Sequence, residues 1–156
     1  MRKALLTLFL LLSTAIGYAQ ERLSIEEAVN QLAERYDGTE GVECICVSKG
    51  SGLGLVKLML QKELGRSFMK GVTSITIIEY SEASEETCIA LRKELDAFST
   101  LLQEFDISKE KQFADNDYIR SFAAVSEKGT FSDFVIALEN KKSKMVMYMA
   151  GEIILE

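Results

Sequence analysis

The chain has 156 residues, with 18 basic against 24 acidic side chains, a formal charge of −6, and no histidine, proline or tryptophan. Without imidazole, a histidine-activated serine, cysteine or threonine nucleophile is excluded, as are histidine-rich zinc sites. The acidic balance argues against nucleic-acid phosphate and anionic lipid as partners, and the absence of proline excludes a proline-rich recognition segment.

The chain opens Met1-Arg2-Lys3, continues through apolar residues 4–12, and reads Ser13-Thr14-Ala15-Ile16-Gly17-Tyr18-Ala19 before Gln20. A positive end, a short apolar run and small residues at Gly17 and Ala19 form a secretory signal, with cleavage expected between Ala19 and Gln20. Residues 4–19 fall short of the roughly 20 that a spanning helix needs, so no stable membrane insertion is expected after cleavage. No cysteine stands at the cleavage point to carry a lipid. Residues 20–156 then read as a single domain, periplasmic or secreted, large enough to bury a core.

Ser24-Ile25-Glu26-Glu27 has capping-box spacing, and Ile25, Val29, Leu32 and Tyr36 recur at helical steps until Asp37-Gly38 closes the helix. Residues 42–47 form a β-rich run with few polar side chains, predicting a central strand covered on both faces. Cys44 and Cys46 share one face of that strand. They are badly placed to bond each other, and one of them, with Cys46 the candidate, could reach Cys88 as a disulfide. The alternative is three small buried thiols. A Cys-x-Cys pair without histidine is a weak metal signal, and no metal or cofactor is expected.

Residues 49–54 read as a glycine-rich turn, followed by a short helix over 55–64 that is apolar nearly all round and stops at Gly65. Such a helix must be buried, or meet a partner, on more than one side. A second strand over 72–80 completes a βαβ unit with parallel strands. Ser84-Glu85-Glu86-Thr87 caps the longest predicted helix, whose stripe runs through Cys88, Leu91, Leu95, Phe98, Leu102 and Phe105. A charged connector over 106–117 contains Asp115-Asn116-Asp117, a faint calcium signal that reads better as a solvated turn. Strands over 118–125, 131–138 and 145–154, joined by short polar links, form an antiparallel meander. The sum is an α+β domain of two layers, a mixed five-stranded sheet packed with two to three helices.

Two candidate sites follow. Gly50, Ser51, Gly52 and Gly54 lie between a strand and a helix, where free amides could hold a small anion, although the third glycine and the lysine of phosphate loops are missing. Met145, Met147 and Met149 alternate onto one face of the last strand, filling a core or, if that strand lies at an edge, offering an adaptable docking row. Glu26-Glu27 and Glu85-Glu86 sit in first helical turns, where capping explains them, so no carboxylate pair is marked as catalytic.

The order of signal, short helix, Tyr36, then Gly41-Val42 with its strand, and the ending Met147-Tyr148-Met149-Ala150-Gly151-Glu152-Ile153-Ile154 resembles small exported domain-of-unknown-function proteins of Bacteroidetes. The resemblance implies the periplasm or outer envelope of a Gram-negative cell and carries over no catalytic residue. The expectation is a non-enzymatic envelope protein acting by contact with another envelope protein or with itself. The alternatives are a small-ligand or anion carrier using the Gly50–Gly54 turn and, more remotely, a carboxylate-based hydrolase.

Overall fold

The computed structural model describes residues 24–154, apart from the side chains of Ser24, Ser51, Glu63 and Gln112; the expected signal and its cleavage point lie outside the described residues. The elements run α1 (Ser24–Tyr36), β1 (Glu43–Ser48), α2 (Gly50–Leu64), α3 (Arg66–Lys70), β2 (Val72–Glu79), α4 (Glu85–Glu94), β3 (Gln103–Phe105), β4 (Tyr118–Val125), β5 (Phe131–Glu139) and β6 (Lys144–Gly151). The class is α+β, as the interleaving of elements predicts. No described helix is long and apolar enough to cross a membrane.

The sheet has six strands in the order β1-β2-β6-β5-β4-β3, and every neighbouring pair is antiparallel. The meander β4-β5-β6 matches its expected strands. The parallel βαβ unit does not form: Cys44 pairs with Ile78 and Ser48 with Ser74, so β2 runs back along β1. A crossover would need one helix to carry the chain past the sheet and release it at the far end. Here Gly65, at φ 92° and ψ 150°, breaks the helical run. That conformation is essentially confined to glycine. The short helix α3 then returns the chain beside the end of β1.

Two further expectations are corrected. The strand over 42–47 is not central but an outer edge, and residues 103–105 add a sixth strand at the opposite edge. The long helix stops at Glu94, passes through a 3₁₀ segment at Leu95–Thr100, and gives way to β3. Ser99 and Thr100 donate their hydroxyls to the carbonyls of Asp96 and Ala97, at 2.7 and 2.8 Å. These bonds compete for carbonyls that a continuing helix uses. The apolar stripe still does its work, because Cys88, Leu91, Leu95, Phe98 and Leu102 all enter one core.

Helices cover both faces of the sheet, so the domain has three layers where two were expected. Alternation along β5 assigns the faces: Val135 and Ala137 meet α1 and α4, with Leu32, Leu91 and Tyr148. Phe134, Ile136 and Leu138 meet Leu64, Phe68 and Met69 from the α2–α3 side. Phe68 stands edge-on to Phe134 with ring centroids 5.2 Å apart, a favoured aromatic geometry. Each fully buried Leu or Phe contributes about 1.5–3 kcal/mol.

β2 joins the meander through a tight backbone crossing. A Cβ on Gly71 would lie 1.7 Å from the Glu152 carbonyl oxygen, and one on Gly151, at φ 128°, would lie 2.1 Å from the Gly71 oxygen. The Gly151→Ala variant is therefore expected to lose at least about 2 kcal/mol, combining positive-φ strain with a clash against backbone that cannot yield. Urea unfolding monitored by circular dichroism measures it.

Candidate functional site

The glycine cluster does not form a turn. Gly50, Ser51, Gly52 and Gly54 are the opening residues of α2 itself, preceded by Lys49, which supplies no side-chain cap. The helix starts close to β1, where a Cβ on Gly52 would make ordinary contact with Val47 Cγ1 at 3.8 Å, and no close neighbour requires glycine at Gly50 or Gly54. The adjoining groove, about 450 Å³, is lined by Glu26, Lys49, Leu53, Thr73 and Ser74 among others. Glu26, a carboxylate, accepts from the Ser74 hydroxyl at 3.4 Å there. Glu26 and Lys49 give the groove no net positive charge with which to hold an anion.

The methionine row belongs to the interior. β6 lies between β2 and β5, so the edge position that a docking row requires is not met. Met147 and Met149 are 1% and 0% exposed, and Met145 packs against the same core beneath α2 and α3. This corrects the docking reading of Met145, Met147 and Met149.

Cys44, Cys46 and Cys88 are free thiols, and the Cys46–Cys88 bond is not formed. Cys46 pairs with Thr76, which in turn pairs with Tyr148 of β6. Cys88 instead lies against Lys144, whose Nζ is 3.5 Å from its Sγ. Four residues of strand separate Tyr148 from Lys144, about 13 Å, and this is beyond disulfide reach.

A polar cluster closes the α4 side of the sheet. Glu139, 5% exposed, accepts from the Tyr80 hydroxyl at 2.8 Å and from Arg92 Nε at 2.9 Å, with Arg92 Nη2 completing a bidentate pair. Burial alone pushes the Glu139 carboxyl up, but the hydrogen bonds from Arg92 and Tyr80 and the charges of Arg92 and Lys144 outweigh it and hold the carboxyl below the ordinary glutamate value. Burial and the same carboxylate push the Tyr80 hydroxyl up. Both oxygens of Glu139 are thus engaged, and the cluster anchors α4 to β5, with Glu85 Oε1 3.9 Å from Arg92 Nη1 on its outer side. Among the described residues, no buried side-chain nitrogen or oxygen lacks a partner.

A cleft of about 630 Å³ lies near the start of β6. Its floor includes Leu64, Phe113 and Met145, and Lys62, Lys111 and Lys142 stand at its rim against a single carboxylate, Asp115.

The largest unsatisfied surface is apolar. On α2, Leu53, Val56 and Leu60 pack inward, and Lys57 Nζ donates to the carbonyls of Lys70 and Val72 at 3.2 and 3.0 Å. The outward face holds Leu55, Leu58 and Met59 at 61%, 61% and 65% exposure, and Ile45 of β1 adds 44% on the same side of the sheet. Spacings of three and four residues make this one contiguous stripe. Beside it, the outer backbone groups of β1 pair with no described strand. The sequence signal for the stripe was the all-round apolar character of residues 55–64. The open edge had none, because an apolar strand reads as central.

The opposite edge is different. β3 spans three residues, and its Glu104 is held by Arg120, which also reaches Asp96 at 2.7 Å. Charged edges of this kind resist strand addition. β1 carries one charged residue, Glu43, within its span.

A carboxyl lowered on folding contributes stability above its unfolded value, near 4.3, and loses it as pH falls through the folded value. Glu139→Gln is accordingly expected to cost about 2 kcal/mol at neutral pH. The gap from the parent protein should narrow below about pH 4, as read from denaturation midpoints across a pH series. The chain matches no family model, no curated protein and no solved structure.

Proposed function

We propose that the chain is exported, with residues 1–19 removed at Ala19-Gln20, and works in the envelope as a non-enzymatic contact protein whose docking surface is the β1–α2 face. The occupant is a second copy of the same chain. The observation that carries this reading is the row Leu55, Leu58 and Met59 exposed alongside the unpaired edge of β1. Contiguous apolar surface of this kind is stabilised by removal from water, and an edge strand offers donors and acceptors that only another strand matches in full. The Met1-to-Ala19 pattern and the resemblance to exported Bacteroidetes proteins support the location. The missing histidine and the engaged carboxylates support a role without catalysis.

Light scattering of residues 20–156 at two concentrations tests the contact. A mass near twice the monomer at the higher concentration is expected, and Ile45→Asp, which puts a charge on the open face of β1, should return it to the monomer mass. A monomeric parent at both concentrations would overturn the reading.

The three lysines over an apolar floor favour a second reading, a carrier for a small organic anion with an apolar tail. Isothermal titration with octanoate should show saturable binding that weakens at least about tenfold in Lys62→Glu/Lys142→Glu. Unchanged affinity in that variant would remove the cleft from consideration.

A further inference from the structure

The open edge of β1 and the identity of its residues restrict how two copies can meet. Two antiparallel edges related by a two-fold axis perpendicular to the sheet place residue i of one copy opposite residue j of the other, and each sheet face continues into its equivalent. Opposite residues in an antiparallel pair point to the same face. Cys44 and Cys46 point to the α1 side, where Cys44 Sγ donates to the Ala33 carbonyl, whereas Val47 joins the core on the α2 side. Partners must therefore be separated by an even number of residues, and the axis must pass through a residue. Only axes through Ile45 or Cys46 keep most of the six-residue strand paired.

The two choices differ in chemistry. An axis through Ile45 sets Glu43 against Val47, placing a carboxylate opposite an apolar side chain. An axis through Cys46 sets Ile45 against Val47 and Cys44 against Ser48, and brings Glu43 beside Lys49 of the other copy. The second choice matches apolar with apolar and acid with base, and does so twice by symmetry.

The helices fit the same axis. The opening of α2 lies over β1 and β2, with Gly52 against Val47 and Lys57 Nζ on the Val72 carbonyl. Strands about 4.8 Å apart put the centre of this segment about 5 Å from the axis. The two α2 helices then pass about 10 Å from each other there, the distance at which helices pack. Ile45 is exposed on the same face of β1, whereas Leu55, Leu58 and Met59 lie on the side of α2 opposite Leu53, Val56 and Leu60 and point away from the sheet.

We infer that two copies of the chain join by antiparallel pairing of β1 with β1 about a two-fold axis through Cys46, extending the sheet from one molecule into the next and bringing the openings of the two α2 helices near each other across it. This rests on the contact reading of the β1–α2 face and specifies its geometry. In this arrangement the two Cys46 Cα atoms stand about 4.5–5.5 Å apart, within the span a disulfide bridges.

The test is a cysteine scan in the Cys44→Ser background, with Cys88 left in place because it is fully buried. Oxidised glutathione is the oxidant: two Cys46 thiols give up two protons and two electrons, and the glutathione disulfide is reduced to two thiols. Covalent dimer on a non-reducing gel is expected from Cys46, and none from Ile45→Cys/Cys46→Ser. The Cys46 product should disappear when Ile45→Asp is added. Crosslinking through residue 45 in place of 46, or Cys46 crosslinking that survives Ile45→Asp, overturns the register; if light scattering of Cys46→Ser still reports a dimer, the contact reading stands without it. A Cys46→Ser protein monomeric at every concentration overturns both. As an independent measure, Glu43→Lys should weaken dimerisation about tenfold, and Glu43→Lys/Lys49→Glu should restore it to within about twofold of the parent. Failure of the double variant to recover counts against the axis through Cys46.

Discussion

The pairing of β2 with β6 is the constraint on which the rest of the structure depends. The strands are far apart in sequence, yet they run side by side from Glu79 opposite Met145 to Val72 opposite Gly151. This joint inserts the last strand between β2 and β5 and makes it the middle of the sheet. It commits Met147 and Met149 to the interior and leaves β1 with a neighbour on one side only. The joint is possible because Gly71 and Gly151 lack side chains where their backbones cross. A local bulge at Thr73 takes up the extra residue. Closing so long a loop has an entropic cost that grows only slowly with length. Two apolar cores, one on each face, offset it.

Much of this organisation is legible in the residues. The meander strands, the Ser84 cap that accepts the Thr87 amide, and the apolar face of α1 all follow from local periodicity and turn chemistry. Strand direction does not. Residues 55–64 read as one crossover helix, and nothing in their periodicity says that Gly65 will bend the chain into a second, returning helix. The stripe from Cys88 to Leu102 predicts which side chains enter the core. It does not reveal where helix gives way to 3₁₀ turn, because Leu95 and Phe98 can be buried from either conformation. Phe105 belongs to a different element altogether, a three-residue strand defined by its pairing with Ser121. Pairing between distant segments carries no short-range signature.

The candidate surface shows the same division. Leu55, Leu58 and Met59 already look excessive for a helix with only one face to bury. Gly50 to Gly54, by contrast, resemble a loop only when read as composition. In the fold they are the thin start of α2, which lies close over Val47. An apolar strand such as Glu43–Ser48 satisfies the expectation of burial only in part: α1 and α2 cover portions of its two faces, and its lateral hydrogen-bonding groups remain open.

The two edges of the sheet make that openness informative. One edge is short and held in a network of Arg120, Glu104 and Asp96, the arrangement that keeps strands from adding to a sheet. The other is longer, nearly free of charge, and flanked by exposed leucine and methionine. Both edges belong to one acidic chain, whose charge of −6 works against close approach of two copies. At physiological ionic strength that repulsion is screened beyond about 8 Å, whereas apolar and backbone hydrogen-bonding contacts of the kind an open edge offers act at shorter range. Net charge thus opposes indiscriminate association across the surface, and it opposes close approach least at the charge-poor edge of β1.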